Sequence, residues 1–160
     1  MNKFKIFIKI FLGIIIICIF AVGAFLINYV FMSNRRMERL ETQSPVEVIT
    51  RVDSDKNLHV MLVNNTDYYF AFGTPFDIYS RTWWGGWRRV FFNVEGGAAV
   101  VWLAMGFNLP PNSSAYRWHH INLPAYFGEL PSGEYRIIKE FHHRDNIRDN
   151  FSVVGRFSID

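Results

Sequence analysis

The hydrophobic residues of this chain follow two different patterns, and the change comes near residue 45. From Ile10 to Met32 the chain has 23 consecutive residues without a charge, and nearly all of them are apolar. An α-helix rises about 1.5 Å per residue, so this run is long enough to cross the ~30 Å hydrocarbon core of a bilayer. The first pattern therefore predicts a single transmembrane helix over residues 10–32.

The flanks of this run predict a short tail and a juxtamembrane linker. Residues 1–9 precede the helix, and residues 33–45 follow it. Residues 36–40 have helix-favouring chemistry and could continue the helix for two turns before Pro45, which disfavours the α conformation in the residue before it. The linker arginines could rest on membrane phosphates, or the segment could be a solvated spacer.

Three alternatives to a membrane anchor fit the sequence less well. A cleaved signal peptide has a shorter apolar region, and Ala21-Val22-Gly23-Ala24 is only a weak match to a cleavage site. A lipoprotein signal needs a small residue before its cysteine, whereas Ile17 precedes Cys18. A buried core helix would need apolar surroundings on every side, and no other part of the chain is built to supply them. The anchor remains the preferred interpretation, with cleavage as the main alternative.

The orientation of the anchor is only weakly encoded. Lysines precede the apolar run and arginines follow it, so the positive-inside rule gives nearly a tie. A signal anchor followed by one domain without cysteine is the simplest arrangement. We therefore expect residues 1–9 in the cytoplasm and the C-terminal domain outside it, at the cell membrane.

Beyond Pro45 the second pattern is typical of an antiparallel all-β domain. Short stretches of alternating apolar residues are separated by turn residues, and Leu58, Val60 and Leu62 are predicted on one face of a strand. We predict about eight strands and no helix of any length. The predicted stretches are 46–52, 58–63, 68–72 and 76–79 (two strands, or one strand bent at 73–75), 87–94, 98–109, 115–121, 135–141 and 151–159.

Two packed sheets suit these strands better than one. A single open sheet of eight strands would expose a whole apolar face, whereas two sheets bury both inner faces. We therefore predict a β-sandwich over residues 46–160, with a closed barrel as the alternative. In the turn at residues 129–134, Pro131 presets φ and Gly133 accepts a positive φ, which lets the chain turn a sharp corner into a strand.

The charge distribution argues against nucleic acid as a partner. Residues 1–45 carry six Lys/Arg and two Asp/Glu, 6 − 2 = +4, whereas residues 46–160 carry 11 and 12, 11 − 12 = −1. The folded part therefore lacks the basic excess of a nucleic-acid-binding domain. Cys18 is the only cysteine, so one chain cannot form a disulfide or a cysteine zinc site.

The sequence contains no strong catalytic or metal-binding motif. The candidates are two histidine doublets and two carboxylate pairs: His119-His120, His142-His143, Asp53/Asp55 and Asp145/Asp149. Adjacent strand residues point to opposite faces, so each doublet offers one ligand per face, and a site would need help from a carboxylate such as Glu140 or Asp145. We expect strand histidines and solvated turn carboxylates instead, with no metal, no cofactor and no catalytic residues.

The richest stretch for recognition is Arg81-Thr82-Trp83-Trp84-Gly85-Gly86-Trp87-Arg88-Arg89. Gly85-Gly86 predicts a hairpin turn, and alternation prevents all three tryptophans from facing the core. Trp87 is the best candidate for the core. The candidate interaction surface is Trp83, Trp84, Arg88 and Arg89, which suits a protein partner, a stacked sugar or the lipid interface. The alternative is that all three tryptophans pack in or over the sandwich.

The chain also resembles a known family. The motifs that carry the resemblance are Val60-x-Leu62-x-Asn64-Asn65-Thr66, Phe72-Gly73-x-Pro75-Phe76, the Trp87 hairpin, Leu109-x-Pro111, and Tyr126-Phe127-Gly128-Glu129-Leu130-Pro131-x-Gly133-x-Tyr135-Arg136-Ile137-x-Lys139. Over residues 46–160 the sequence is similar to the bacterial immunoglobulin-like domains of membrane-anchored or secreted proteins of Gram-positive bacteria. The segment from Trp118 to Tyr126 looks longer than that pattern.

The resemblance implies an immunoglobulin-like β-sandwich outside the cytoplasm, with no assigned catalytic activity. Together with the anchor it predicts a non-enzymatic binding or scaffolding protein. The predicted partners are the lipid bilayer, through the N-terminal helix, and a protein or cell-wall glycan. A weaker likeness to small bacterial protease-inhibitor domains, based on the same Pro-Gly corner, gives the alternative function of an envelope protease inhibitor.

Overall fold

A single long helix precedes the β domain. The computed structural model describes residues 3–42, 44–93, 106–144 and 146–160. Helix α1 (Lys3–Thr42) runs without a break through the apolar segment and through most of the predicted linker. It is long and apolar enough to cross a membrane. Past its end, the Ser44 hydroxyl bonds to the backbone N–H and carbonyl of Val46 and so starts the first strand.

Nine strands and one short helix follow in the described part of the chain. They are β1 (Val46–Val52), β2 (Asn57–Asn64), β3 (Phe70–Phe72), β4 (Asp77–Arg81), β5 (Trp87–Val90), β6 (Phe107–Leu109), β7 (Ser113–Asn122), α2 (Leu123–Phe127), β8 (Gly133–His143) and β9 (Asn146–Ile159). The predicted strand 98–109 lies outside the described residues as far as residue 105.

The strands form two antiparallel sheets, which confirms the predicted sandwich. Sheet A has the order β1-β2-β7. Sheet B is centred on β8, with β9 on one side and both β3 and β4 on the other. Strand β5 pairs with the far side of β4, and β6 pairs with β3.

The core lies between the two sheets. On β2 the alternation is as predicted, since Leu58, Val60 and Leu62 are buried between less buried neighbours. Facing side chains come from β3, β4, β8 and β9, including Phe70 and Phe141. The largest fully buried side chains are Phe70, Phe141, Leu58, Leu62, Ile78, Leu109, Ile121, Leu123 and Ile137. Burial of this apolar area is the main force that holds the sheets together.

The break between β3 and β4 is filled by a buried lysine. Both strands pair with β8, so Gly73–Pro75 is a bend in one extended strand path. Lys139 of β8 is only 2% exposed, and its Nζ donates to the carbonyls of Gly73 and Pro75, the latter at 2.5 Å. The bend removes these carbonyls from the ladder, and the lysine satisfies them. Burial lowers the pKa of Lys139 to about 7.

The corner before β8 is closed by a tyrosine. The Tyr135 hydroxyl donates to the carbonyl of Pro131 at 2.6 Å, while its ring is buried in the core. Gly133 has the positive φ that the sequence predicted. A tyrosine that bonds back to the preceding corner is a recurrent feature of such sandwiches. The predicted turn therefore both redirects the chain and anchors it.

Asn64 joins three segments at the other end of the sandwich. It is fully buried, and its Nδ2 donates to the carbonyls of Tyr68 and Pro110, both at 2.8 Å. Its Oδ1 accepts from the backbone N–H and the hydroxyl of Thr66. The side chain thus satisfies backbone groups of two loops that have no strand partner of their own.

The expectation of no helix beyond residue 45 was wrong. Helix α2 follows β7 directly, within the segment that looked too long for the family pattern. Asn122 caps it by accepting from the N–H of Ala125 at 2.9 Å, and Pro124 occupies its first turn. Asn followed by Pro two residues later is a helix-start signal that the strand-like surroundings concealed.

Replacing Asn64 should destabilise the domain far more than replacing its neighbour. Asn64→Ala leaves several buried backbone groups unpaired, and we expect a loss of about 2–3 kcal/mol in the free energy of unfolding. Asn65→Ala is the matched control, because Asn65 is exposed. Chemical unfolding of the full chain in detergent would measure both. Equal losses for the two variants would contradict the role of Asn64.

Lys139 should make stability depend on pH. Its pKa in the folded chain, about 7, is below the ordinary value of 10.5, so between these values the unfolded chain binds more protons. The free energy of unfolding should therefore rise with pH from about 7 to about 9.5, by at most about 1.4 kcal/mol per pH unit. Lys139→Met should flatten this rise and Lys56→Met should not. Parallel pH profiles for wild type and Lys139→Met would exclude the effect.

Candidate functional site

The tryptophan-rich stretch forms the hairpin between β4 and β5. The N–H of Thr82 donates to the carbonyl of Gly86 and the N–H of Gly85 donates to that of Thr82, both at 2.9 Å. Gly85 has a φ of 87°, a value that favours glycine. The turn therefore lies where the Gly-Gly pair predicted it.

Two of the three tryptophans stand on the surface of this hairpin. Trp83 is 91% exposed and Trp84 is 40% exposed. Their rings meet edge to face, with centroids 5.2 Å apart. Exposed apolar patches of this kind often mark sites that contact a protein, a membrane or a ligand.

Trp87 is buried, but it does not lie between the two sheets, where we expected it. It is covered by α1: its backbone N–H donates to the Ser33 hydroxyl at 3.2 Å, and its carbonyl accepts from Tyr29 and Ser33. The guanidinium of Arg136 lies 4.1 Å from the centre of its ring. The indole therefore fills the contact between α1 and sheet B, which no pattern within β5 could reveal.

The two predicted arginines do not share a face with each other. Arg88 and Arg89 are both exposed, and alternation along β5 points them to opposite sides. Arg89 pairs with Asp77 at 2.5 Å, and both side chains are partly solvated. Trp83 and Trp84 thus form one cluster at the turn, while the arginines extend from it along the strand. The interaction surface itself remains a prediction.

Four α1 residues that the sequence analysis did not select join the helix to the domain. Tyr29, Ser33, Met37 and Glu41 are spaced four apart and therefore lie along one helix face. Tyr29 and Ser33 contact β5, and Met37 is only 3% exposed. The linker is therefore a docked helical segment rather than a solvated spacer. The spacing was visible in the sequence, but apolar residues on every other face masked it.

Glu41 completes this contact with a buried ion pair. Its carboxylate lies 2.9 Å from Arg136 of β8 and also pairs with Arg156 of β9. Arg136 is 8% exposed, and burial lowers the pKa of its guanidinium while Glu41 opposes that shift. A buried guanidinium requires such a partner, because the cost of removing it from water is large.

Trp84 and the helix enclose an apolar groove of about 500 Å³. Its apolar lining comes from Leu26, Ile27, Val30 and Phe31 of the apolar segment of α1, and Asn34 and Glu38 line its polar end. Arg35 closes one side, with its guanidinium 4.2 Å from the centre of the Phe31 ring. The hairpin turn therefore lies beside residues predicted to be in the membrane.

The titratable candidates whose side chains the structure describes do not converge. His143 packs against the rings of Tyr68 and Phe70, and strand alternation sends His142 to the other face. Asp53 accepts from His59 at 2.8 Å and from Asn57, and these bonds lower its pKa. The side chains of His119, His120, Asp145 and Asp149 lie outside the described residues. Among the residues that are described, no three His, Cys, Asp or Glu are grouped to hold a metal ion.

One comparison with known proteins gives a match. A family model described as a bacterial Ig-like domain matches residues 41–152, which is more than half of the chain. The match begins at the Glu41 contact and ends within β9. No curated protein and no solved structure matches the chain.

Removing Glu41 should weaken the attachment of α1. Glu41→Ala leaves the Arg136 guanidinium buried without its carboxylate, and we expect a loss of about 2–4 kcal/mol in the free energy of unfolding. Glu47→Ala is the matched control, because Glu47 is exposed on β1. Thermal unfolding of the full chain in detergent would compare them. An unchanged midpoint for Glu41→Ala would show that the ion pair contributes nothing to docking.

Proposed function

The chain belongs to the bacterial Ig-like domain family, and from that premise we propose that it is a single-pass membrane protein with a non-enzymatic Ig-like domain over residues 46–160. The domain lies outside the cytoplasm, where it binds or scaffolds a protein or a cell-wall glycan. Residues 1–9 form the cytoplasmic tail, and residues 10–32 cross the membrane.

The observation that carries this proposal is the docking of α1 on sheet B. A helix long and apolar enough to cross a bilayer continues as far as Thr42 and is fixed on the domain by Ser33, Met37 and Glu41. The domain is thereby held at one height and one tilt relative to the span. A domain held rigidly in this way suits a scaffold or receptor. A module that must search for its partner through solution would need a flexible linker instead.

Several polar groups of the kinds that enzymes use in catalysis have structural roles here. Lys139 satisfies the bend between β3 and β4, and Arg136 is committed to Glu41 and Trp87. Asn64 is occupied by the loops that it joins. These assignments support a binding role, in agreement with the family.

The partner has access mainly through sheet A, because α1 covers part of the outer face of sheet B. Exposed residues of β1 on that side include Glu47, Ile49 and Arg51. A mixed surface of this kind suits a protein or a polar glycan. Its strands are rigidly positioned by the core beneath them.

Protease treatment of intact cells would test location and orientation. A tag placed after Asp160 should be removed by external protease, whereas a tag placed before Met1 should be removed only after permeabilisation. The protein should also stay with the membrane during alkaline extraction. A protected C-terminal tag would overturn the orientation, and release by alkali would overturn the anchor.

A further inference from the structure

The direction in which α1 crosses sheet B fixes the orientation of the strands relative to the helix axis. Ser33 contacts β5, whereas Glu41 contacts β8 and β9. In sheet B the order from β5 to β9 is β5-β4-β8-β9, which is three strand spacings or about 14 Å. Eight helical residues span about 12 Å. The helix axis therefore runs across the strands rather than along them.

It follows that β5 is the side of sheet B nearest the membrane span. From Glu41 toward its N-terminus, α1 passes first β9 and β8, then β5, and then the hairpin turn. About 20 residues counted from Ile10 fill a ~30 Å hydrocarbon core, which places its outer boundary near Tyr29. Tyr29 itself donates to the carbonyl of Trp87 at 3.5 Å. Strand β5 thus starts at the level of that boundary.

The residues on this side have the chemistry of a bilayer surface. Trp83 and Phe91 are 91% and 75% exposed, and Trp84 lies against Leu26–Phe31 of the span. Residues 77–93 carry three arginines and one aspartate, 3 − 1 = +2, whereas residues 46–160 as a whole carry −1. Tryptophan prefers the membrane interface, and basic side chains are attracted to anionic headgroups.

We propose that the β4–β5 hairpin is a second membrane contact, in which Trp83 and Trp84 enter the headgroup region while Arg88 and Arg89 meet lipid phosphates. The proposal rests on the membrane anchor proposed above. It commits the candidate interaction surface to lipid rather than to a soluble partner. The reason is its depth, since a surface beside Leu26–Phe31 faces headgroups as soon as α1 spans the bilayer.

This contact explains why the exposed aromatic pair lies where it does. Two exposed tryptophans in water would cost solubility, but at the interface their rings are buried and their N–H groups stay wet. Arg88 and Arg89, on opposite sides of β5, can both reach phosphates if the strand lies along the surface, because long side chains extend to the polar layer. The pair of Arg89 with Asp77 does not prevent this, because it is partly solvated and such pairs contribute little stability.

A fluorophore that reports the polarity of its surroundings would test the proposal. In a Cys18→Ser background of the full chain, single cysteines replace Trp83, Phe20 or Glu47, and each is labelled with the same dye. The proteins are reconstituted in vesicles of phosphatidylcholine and phosphatidylglycerol, with or without lipid that carries a quencher just below the headgroup. Phe20 is in the middle of the apolar segment, and Glu47 lies on β1, beyond the far end of α1.

The expected result is a blue-shifted, strongly quenched dye at position 83 and an unshifted, unquenched dye at position 47. The dye at position 20 should be blue-shifted. Water-like emission at position 83 together with apolar emission at position 20 would overturn the lipid contact and leave the surface free for a soluble partner. Water-like emission at position 20 would instead overturn the membrane anchor.

Trp83→Cys should fold, because the indole is almost entirely exposed. An independent readout uses native tryptophan emission. The double variant Trp83→Phe/Trp84→Phe should lose most of the quenching that wild type shows with the same lipid. Unchanged quenching in the double variant would also overturn the proposal.

Discussion

The buried ion pair between Glu41 and Arg136 is the constraint that joins the two parts of this molecule. A guanidinium taken out of water needs a carboxylate close by, and the carboxylate nearest Arg136 comes from the last turn of α1. Glu41 reaches it only if the helix continues past the apolar segment and lies across sheet B. Satisfying one charge on β8 therefore constrains how far α1 extends, the direction in which it crosses sheet B and which of its faces meets the sheet.

The other contacts of the helix depend on that placement. With Glu41 on Arg136, the face that carries Met37, Ser33 and Tyr29 meets the domain in turn, and the hydroxyl groups satisfy the backbone of Trp87. Trp87 then becomes a packing element between helix and sheet rather than a core residue. Helix α1 and the sandwich consequently form one structural unit.

Local sequence patterns predicted most of the strands and turns of the β domain. The alternation on β2, the Pro-Gly corner before Tyr135 and the Gly85-Gly86 turn each depend on neighbours within a few residues, so sequence reasoning placed them correctly. The docking of α1 was not foretold, because Ser33 and Trp87 are 54 residues apart and only the folded sheet brings them together. Helix α2 was missed because its cap follows a strand without a loop. The exposed tryptophans were identified by type, but their position beside the apolar segment of α1 depends on the same distant docking.

The crossing of α1 over sheet B also bears on mechanical load. In the proposed membrane orientation the strands lie roughly along the membrane plane, so a lateral force directed along the strands would load many inter-strand hydrogen bonds together in shear. A pull along the membrane normal would open the ladders one after another, starting at an outer strand. In that orientation the domain would resist a force along the membrane better than a force that pulls it away from the membrane.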